Sequence, residues 1–122
     1  MAGFKSFEEM EVWQSSIELC TEVYQITKNE LFNKDFGLKD QISRSSVSIS
    51  SNIAEGSERE SVKSFLHFLY IARGSCAELK TQLLIAKNLD YISLYDFEKI
   101  DEKANSIGKQ LNGFIKYLKT KV

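Results

Sequence analysis

Apolar residues recur at helical spacing in four long stretches of this chain. In the first, Met10, Trp13, Ile17, Cys20, Tyr24, Thr27 and Leu31 are separated by alternating threes and fours. That is the heptad seam of a helix beginning near Phe7. Val12, Leu19, Val23 and Ile26 form a second stripe beside it, which predicts a second buried contact, with another subunit. The second stretch carries Leu38, Ile42, Ser45, Ile49 and Ile53. Its serine-rich run, 45–51, has the composition of a loop, yet the apolar period runs through it and predicts a helix over 38–55. Small side chains let neighbouring backbones approach, so this helix is expected at the centre, ended by Gly56 as a left-handed C′ residue.

The third stretch has the cleanest period, Phe65, Leu69, Ala72, Cys76, Leu79, Leu83 and Ala86, and the fourth runs Phe97, Ile100, Ala104, Ile107, Leu111, Phe114 and Leu118. Gly74 interrupts the third helix at a cost of about 1 kcal/mol relative to alanine. It predicts close approach of another backbone, with Ala72, Gly74, Ser75 and Ala77 facing the serine surface of the second helix. Polar turns are expected at 29–37, 57–60 and 88–92, with Phe32 and Phe36 packing the first of them onto the bundle. Ser61 is the N-cap of the third helix, and Ser93 or Asp96 of the fourth. The fold class predicted is all-α: an up-down-up-down four-helix bundle, one domain over residues 1–122.

Composition supports this reading: 122 residues contain no proline and six glycines, which favours long helices over a turn-rich β fold. The net charge is −1, so no overall basic signature points to nucleic acid. The charge is uneven, however. Residues 1–35 hold three lysines and seven acids, whereas 101–122 hold five lysines and two acids. The helix dipole favours such a basic C-terminal end without any ligand; a phosphate-binding patch is the functional alternative. No apolar run is long enough to span a bilayer, and Cys20 and Cys76 form no CxxC pair. A cytoplasmic protein with buried free thiols is expected, with no membrane association.

Catalytic chemistry is not legible. His67 is the only histidine, with Ser64 where a Glu-x-x-His metal motif needs glutamate, so no metal site is expected. There is neither a strand followed by a Gly-rich phosphate loop nor a Gly-x-Ser-x-Gly elbow. The expectation is a protein that is not an enzyme and has no cofactor. Arg44, Asn52, Glu55, Arg73 and Glu78 lie on helices expected to be largely buried. They are read as a structural polar network of ion pairs and caps between helices or subunits, or as contacts to a polar ligand or RNA. Glu55 is expected to pair with Arg73 or Arg44.

An ordered set of residues resembles the bacterial four-helix-bundle family encoded by 23S ribosomal RNA intervening sequences. It begins with Val12-Trp13-Gln14, Tyr24, Thr27, Gly37-Leu38, Gln41-Ile42 and Arg44, and reaches its most specific block in Ser51-Asn52-Ile53-Ala54-Glu55-Gly56. It continues through Phe68-Leu69-Tyr70-Ile71-Ala72-Arg73-Gly74-Ser75 and Glu78-Leu79 to Leu111-Asn112-Gly113. Many relatives carry proline where this chain has Ser50, and its absence predicts a straighter second helix. The resemblance implies a homopentamer without established enzymatic activity. It also implies similarity to the accessory protein of diversity-generating retroelements, which binds nucleic acid and a reverse transcriptase. The leading expectation is a self-associating bundle that contacts structured RNA, a ribonucleoprotein or a nucleic-acid-processing protein. Arg59, Lys63, Lys109, Lys116, Lys119 and Lys121 are the candidate contacts. The alternative is a protein-interaction scaffold with no nucleic-acid role.

Overall fold

The computed structural model describes residues 6–122, and among them there are helices and turns but no strand. A single 3-10 turn, Phe7–Glu9, precedes α1 (Glu11–Ile26). A short α2 (Glu30–Lys34) leads into α3 (Phe36–Ser57), then α4 (Val62–Asn88) and α5 (Leu94–Lys119). The four long helices close into a ring in which α1 touches α3 and α5, and α4 touches the other faces of those two. Contacts between α4 and α5 pair Arg73 with Asn112 and Lys80 with Asn105. Those between α3 and α4 pair Ser45 with Gln82 and Ser48 with Ser75. Those between α1 and α5 pair Glu18 with Lys103 and Glu22 with Lys99. In each case one number rises as the other falls, so neighbouring helices are antiparallel and the path is up, down, up, down.

Helix starts follow local chemistry. The Ser61 hydroxyl accepts from Ser64 N–H, and the Ser93 hydroxyl accepts from Asp96 N–H. Ser93, not Asp96, therefore caps α5. Asp35 caps α3 by accepting from Leu38 N–H, which starts that helix two residues earlier than its apolar period suggests. Phe32 is fully buried against Tyr91, but Phe36 is 75% exposed and does not pack the connection down.

The first helix differs from expectation in two ways. It ends at Ile26, and Leu31 falls on α2, where it is exposed. The two apolar stripes also exchange roles along the middle of the helix, although Met10 and Thr27 at the ends of the seam remain buried. Val12, Leu19, Val23 and Ile26, with Ser16, point into the core, whereas Ile17 and Tyr24 of the heptad seam are 40% and 46% exposed. The residue pattern permits either stripe to face inward; packing against α3 and α5 selects the one made of β-branched residues and leucine. Trp13 and Cys20 are half-buried at its margin.

Small residues hold α3 and α4 together. Ser45, Ser46, Ser50, Gly56 and Ser57 are buried along α3. A Cβ added to Gly56 would lie 2.8 Å from Phe68 Cβ and 2.9 Å from Phe65 Cδ1, so this glycine admits α4 rather than ending α3, which continues to Ser57. Gly74 does the opposite of what its position suggests, since a Cβ there would meet nothing within 4 Å. Of the expected small cluster only Ala72 and Ser75 are buried; Gly74 and Ala77 face outward. α3 runs unbroken through Ser50, whose hydroxyl donates to the Val47 carbonyl.

Candidate nucleic-acid interface

α4 carries Lys63, Arg73, Lys80 and Lys87 against one carboxylate, Glu78. α5 beyond Lys103 carries Lys109, Lys116 and Lys119, followed by Lys121, and no acid at all. Because α4 and α5 are adjacent, the ring has one predominantly cationic side. Between the two helices runs a shallow groove of about 400 Å³, lined by Arg73, Cys76, Ala77, Lys80, Ala104, Asn105, Gly108, Lys109 and Asn112. The groove exists because its floor is alanine, glycine and cysteine. Its rim is cationic, with asparagines holding two of the cations: Arg73 Nη1 donates to Asn112 Oδ1 at 3.2 Å, and Lys80 donates to Asn105 Oδ1. Burial pushes the Cys76 thiol pKa up, and the Lys80 ammonium opposes this to a smaller extent. The thiol donates to the Ala104 carbonyl.

Towards the C-terminal end of α5 the cations meet exposed aromatic rings. The Arg73 guanidinium and the Lys119 ammonium lie 4.9 and 5.6 Å from the Tyr70 ring centre, and Lys121 lies 5.1 Å from that of Tyr117. Arg59 sits 4.6 Å from the Phe68 ring centre and pairs with Glu55 at 2.7 Å. A second cleft of about 400 Å³, between the α3–α4 turn and the end of α5, is lined by Ser57, Arg59, Glu60, Ser61, Val62, Phe65, Tyr117, Leu118 and Lys121.

Of the expected contacts, Lys109 lies in the groove, Arg59 and Lys121 line the end cleft, and Lys119 covers Tyr70. Lys63 and Lys116 are exposed and line neither hollow. Lys80, Tyr70 and Tyr117 were not anticipated. Counting charge helix by helix, rather than along thirds of the chain, would have exposed the imbalance on α4.

The expected polar network is largely replaced. Arg44, Glu55, Arg73 and Glu78 are exposed and Asn52 is half-buried. Glu55 pairs with Arg59 one turn on, not with Arg73 or Arg44, and Arg44 pairs with Asp40 at 2.9 Å. These i,i+4 pairs satisfy the charges locally and require no burial. The polar groups that do bridge α3 and α4 are smaller. Ser45 Oγ donates to Gln82 Oε1 at 2.6 Å, and the Ser48 and Ser75 hydroxyls are 2.8 Å apart. Asn52 Nδ2 donates to the Ser48 carbonyl and hydroxyl.

On the far side, Lys103 lies 3.4 Å from Glu18 and 3.3 Å from Glu22, and Lys99 lies 3.5 Å from Glu22, which ties α1 to α5. At the opposite end from the cleft, the Tyr91 hydroxyl donates to Asp35 Oδ2, and Asn29 donates to the Tyr91 carbonyl. The hydrogen bond to Asp35 raises the Tyr91 pKa, with desolvation and the carboxylate charge adding to it. His67 is exposed, with its ring at right angles to Phe68. No group of three or more metal-ligating side chains occurs among the described residues, and no helix there is long and apolar enough to cross a membrane.

Fold and surface together define a helical bundle with one cationic, aromatic-studded side. The chain belongs to the 23S rRNA-intervening sequence protein family, whose description it matches over residues 8–113. It is similar to a protein of unknown function from the S23 ribosomal protein family of Bacteroides thetaiotaomicron VPI-5482, known from a crystal structure. The two share 30% identity over 86% of this chain and 98% of that one, with a TM-score of 0.80. A comparison with curated proteins finds no match.

Proposed function

We propose that this protein is a non-catalytic, self-associating bundle that binds RNA along its α4–α5 side. The observation that carries the reading is the charge imbalance there. α4, α5 and the residues just after it hold ten cations against five acids, and four of those acids, Asp96, Glu98, Asp101 and Glu102, are confined to the start of α5, leaving its far half with none. Arg73, Lys80 and Lys109 converge on one groove of that side. A chain with net charge −1 can bind a polyanion when its cations are gathered on one surface, because affinity comes from the counterions those cations displace. Phosphate contacts of this kind position a strand without reading its sequence.

Self-association is supported by α1. Ile17 and Tyr24 stand exposed seven residues apart on the outer face of α1, while their neighbours in the seam, Trp13 and Cys20, are half-buried and packed within the chain against Phe7 and Ser46. The family resemblance suggests five copies, and repetition around a ring would multiply the basic side. Titration of RNA into nuclease-treated protein at two salt concentrations tests the binding. Affinity should fall steeply with salt, and changing Arg73, Lys80 and Lys109 together to glutamine should flatten the log–log slope by about 2 for a single strand. An unchanged slope would remove the groove from the binding surface. The same exposed seam also suits a protein-interaction scaffold, the second reading; salt-independent or absent RNA binding would favour it.

A further inference from the structure

The end cleft differs from the groove in its chemistry. The groove is small-floored and cation-rimmed, suited to a backbone passing over it. The cleft has apolar walls from Val62, Phe65 and Leu118, a carboxylate from Glu60, and two cations, Lys121 and Arg59, the latter paired with Glu55. A site for phosphate alone gains nothing from apolar walls and is opposed by a carboxylate. A nucleobase needs both a flat apolar surface and hydrogen-bonding groups at its edge, with cations where its phosphates emerge.

Tyr117 supplies that surface. It is 47% exposed, its ring edges the cleft, and its hydroxyl has no hydrogen-bond partner within the described residues. The contrast with other tyrosines is informative. Tyr91 is tied down through its hydroxyl, and among the described residues no cation lies over exposed Tyr24 or Tyr95. The two tyrosine rings that cations do cover, Tyr70 and Tyr117, both lie on the basic side. A base arriving on Tyr117 would replace Lys121 on the ring and free that ammonium for the adjoining phosphate.

We infer that the end cleft receives one unstacked RNA base against Tyr117, with its flanking phosphates at Arg59 and Lys121, so that the protein selects single-stranded over duplex RNA. This rests on the RNA-binding reading above. In an A-form duplex the base faces are stacked and only edges, hydroxyls and phosphates are offered; an unpaired strand exposes faces that aromatic side chains can take.

The test compares an unstructured RNA oligonucleotide with the same strand annealed to its complement, using wild type, Tyr117→Ala and Tyr117→Phe. The single strand should bind more tightly. Tyr117→Ala should weaken it by about fivefold or more, the low end for losing one base–aromatic stack, while leaving duplex affinity unchanged, and Tyr117→Phe should retain wild-type behaviour. A 2-aminopurine placed in the strand should be quenched by wild type and not by Tyr117→Ala. Salt-dependent binding with equal affinity for both RNAs and no effect of Tyr117→Ala would overturn the inference and leave the basic side as a backbone binder. Displacement of the strand from the cleft by inorganic phosphate as readily as by nucleotide would mark an anion site and also overturn it. Failure to bind either RNA would overturn both readings.

Discussion

α4 has small residues on two sides, and the two sides use them oppositely. Towards α3, Gly56 admits Phe65 and Phe68 of α4 at close approach, and further along the seam the Ser75 and Ser48 hydroxyls bond beside a smaller hollow of about 290 Å³. Towards α5, Ala77 faces Ala104 and Gly108 across an open groove. A Cβ added to Gly108 would meet nothing within 4 Å. The same economy of side-chain volume makes a tight joint in one place and a surface channel in the other. What distinguishes them in the structure is whether a neighbouring side chain reaches the small residue: Phe65 and Phe68 reach Gly56, and nothing comes within 4 Å of a Cβ at Gly108.

The largest expected effect lies at the joint. Gly56→Ala should destabilise the protein by about 2 kcal/mol despite alanine's better helix propensity, because the new methyl group overlaps Phe68 and Phe65. Chemical denaturation measures it, and a gain in stability would mean that α3 and α4 sit further apart than described. A smaller loss, roughly 1 kcal/mol, is expected for Ser45→Ala, which removes the partner of Gln82, a side chain only 9% exposed. Ser45→Ala combined with Gln82→Leu should recover part of that loss; strict additivity would show that the two side chains are not coupled. Gly74→Ala should have the smallest effect, a gain of up to about 1 kcal/mol in thermal or chemical unfolding, since its surroundings are open. If that variant instead falls apart into smaller assemblies, a second copy lies against α4 there.

The long helices were legible because their apolar periods persist through several turns. Every residue of the α4 stripe is buried, joined by Leu66, Ser75 and Gln82, and the α5 stripe is buried from Ile100 to Leu111 and at Leu118, with Ile115 added and Phe97 and Phe114 half-buried; Ser61 fulfils its capping role. What was not legible depended on a choice between equivalent patterns. α1 has two stripes of helical period, and only the positions of α3 and α5 decide that Leu19 turns inward and Ile17 outward. Gly56 and Gly74 look alike in sequence, each a single glycine in or at the end of a helix, yet a neighbouring helix reaches only the first. The candidate site was half visible. Lys109, Lys119, Lys121 and Arg59 follow from counting charge, but the meeting of Lys109 with Lys80 and Arg73 joins residues about thirty apart and requires the antiparallel register of α4 and α5.

The carboxylate–lysine contacts between α1 and α5 have a kinetic consequence. α3, α4 and α5 follow one another through short turns, so their pairings close small loops. Lys103 and Glu18 are 85 residues apart, and bringing such distant segments together costs more chain entropy. α1 meets α3 across only 26 residues, so it is the docking of α5 onto α1 that is expected late, after the rate-limiting barrier. Lys103→Met should then speed unfolding while leaving the refolding rate nearly unchanged. Equal changes in both limbs of the chevron would place that docking in the folding nucleus instead.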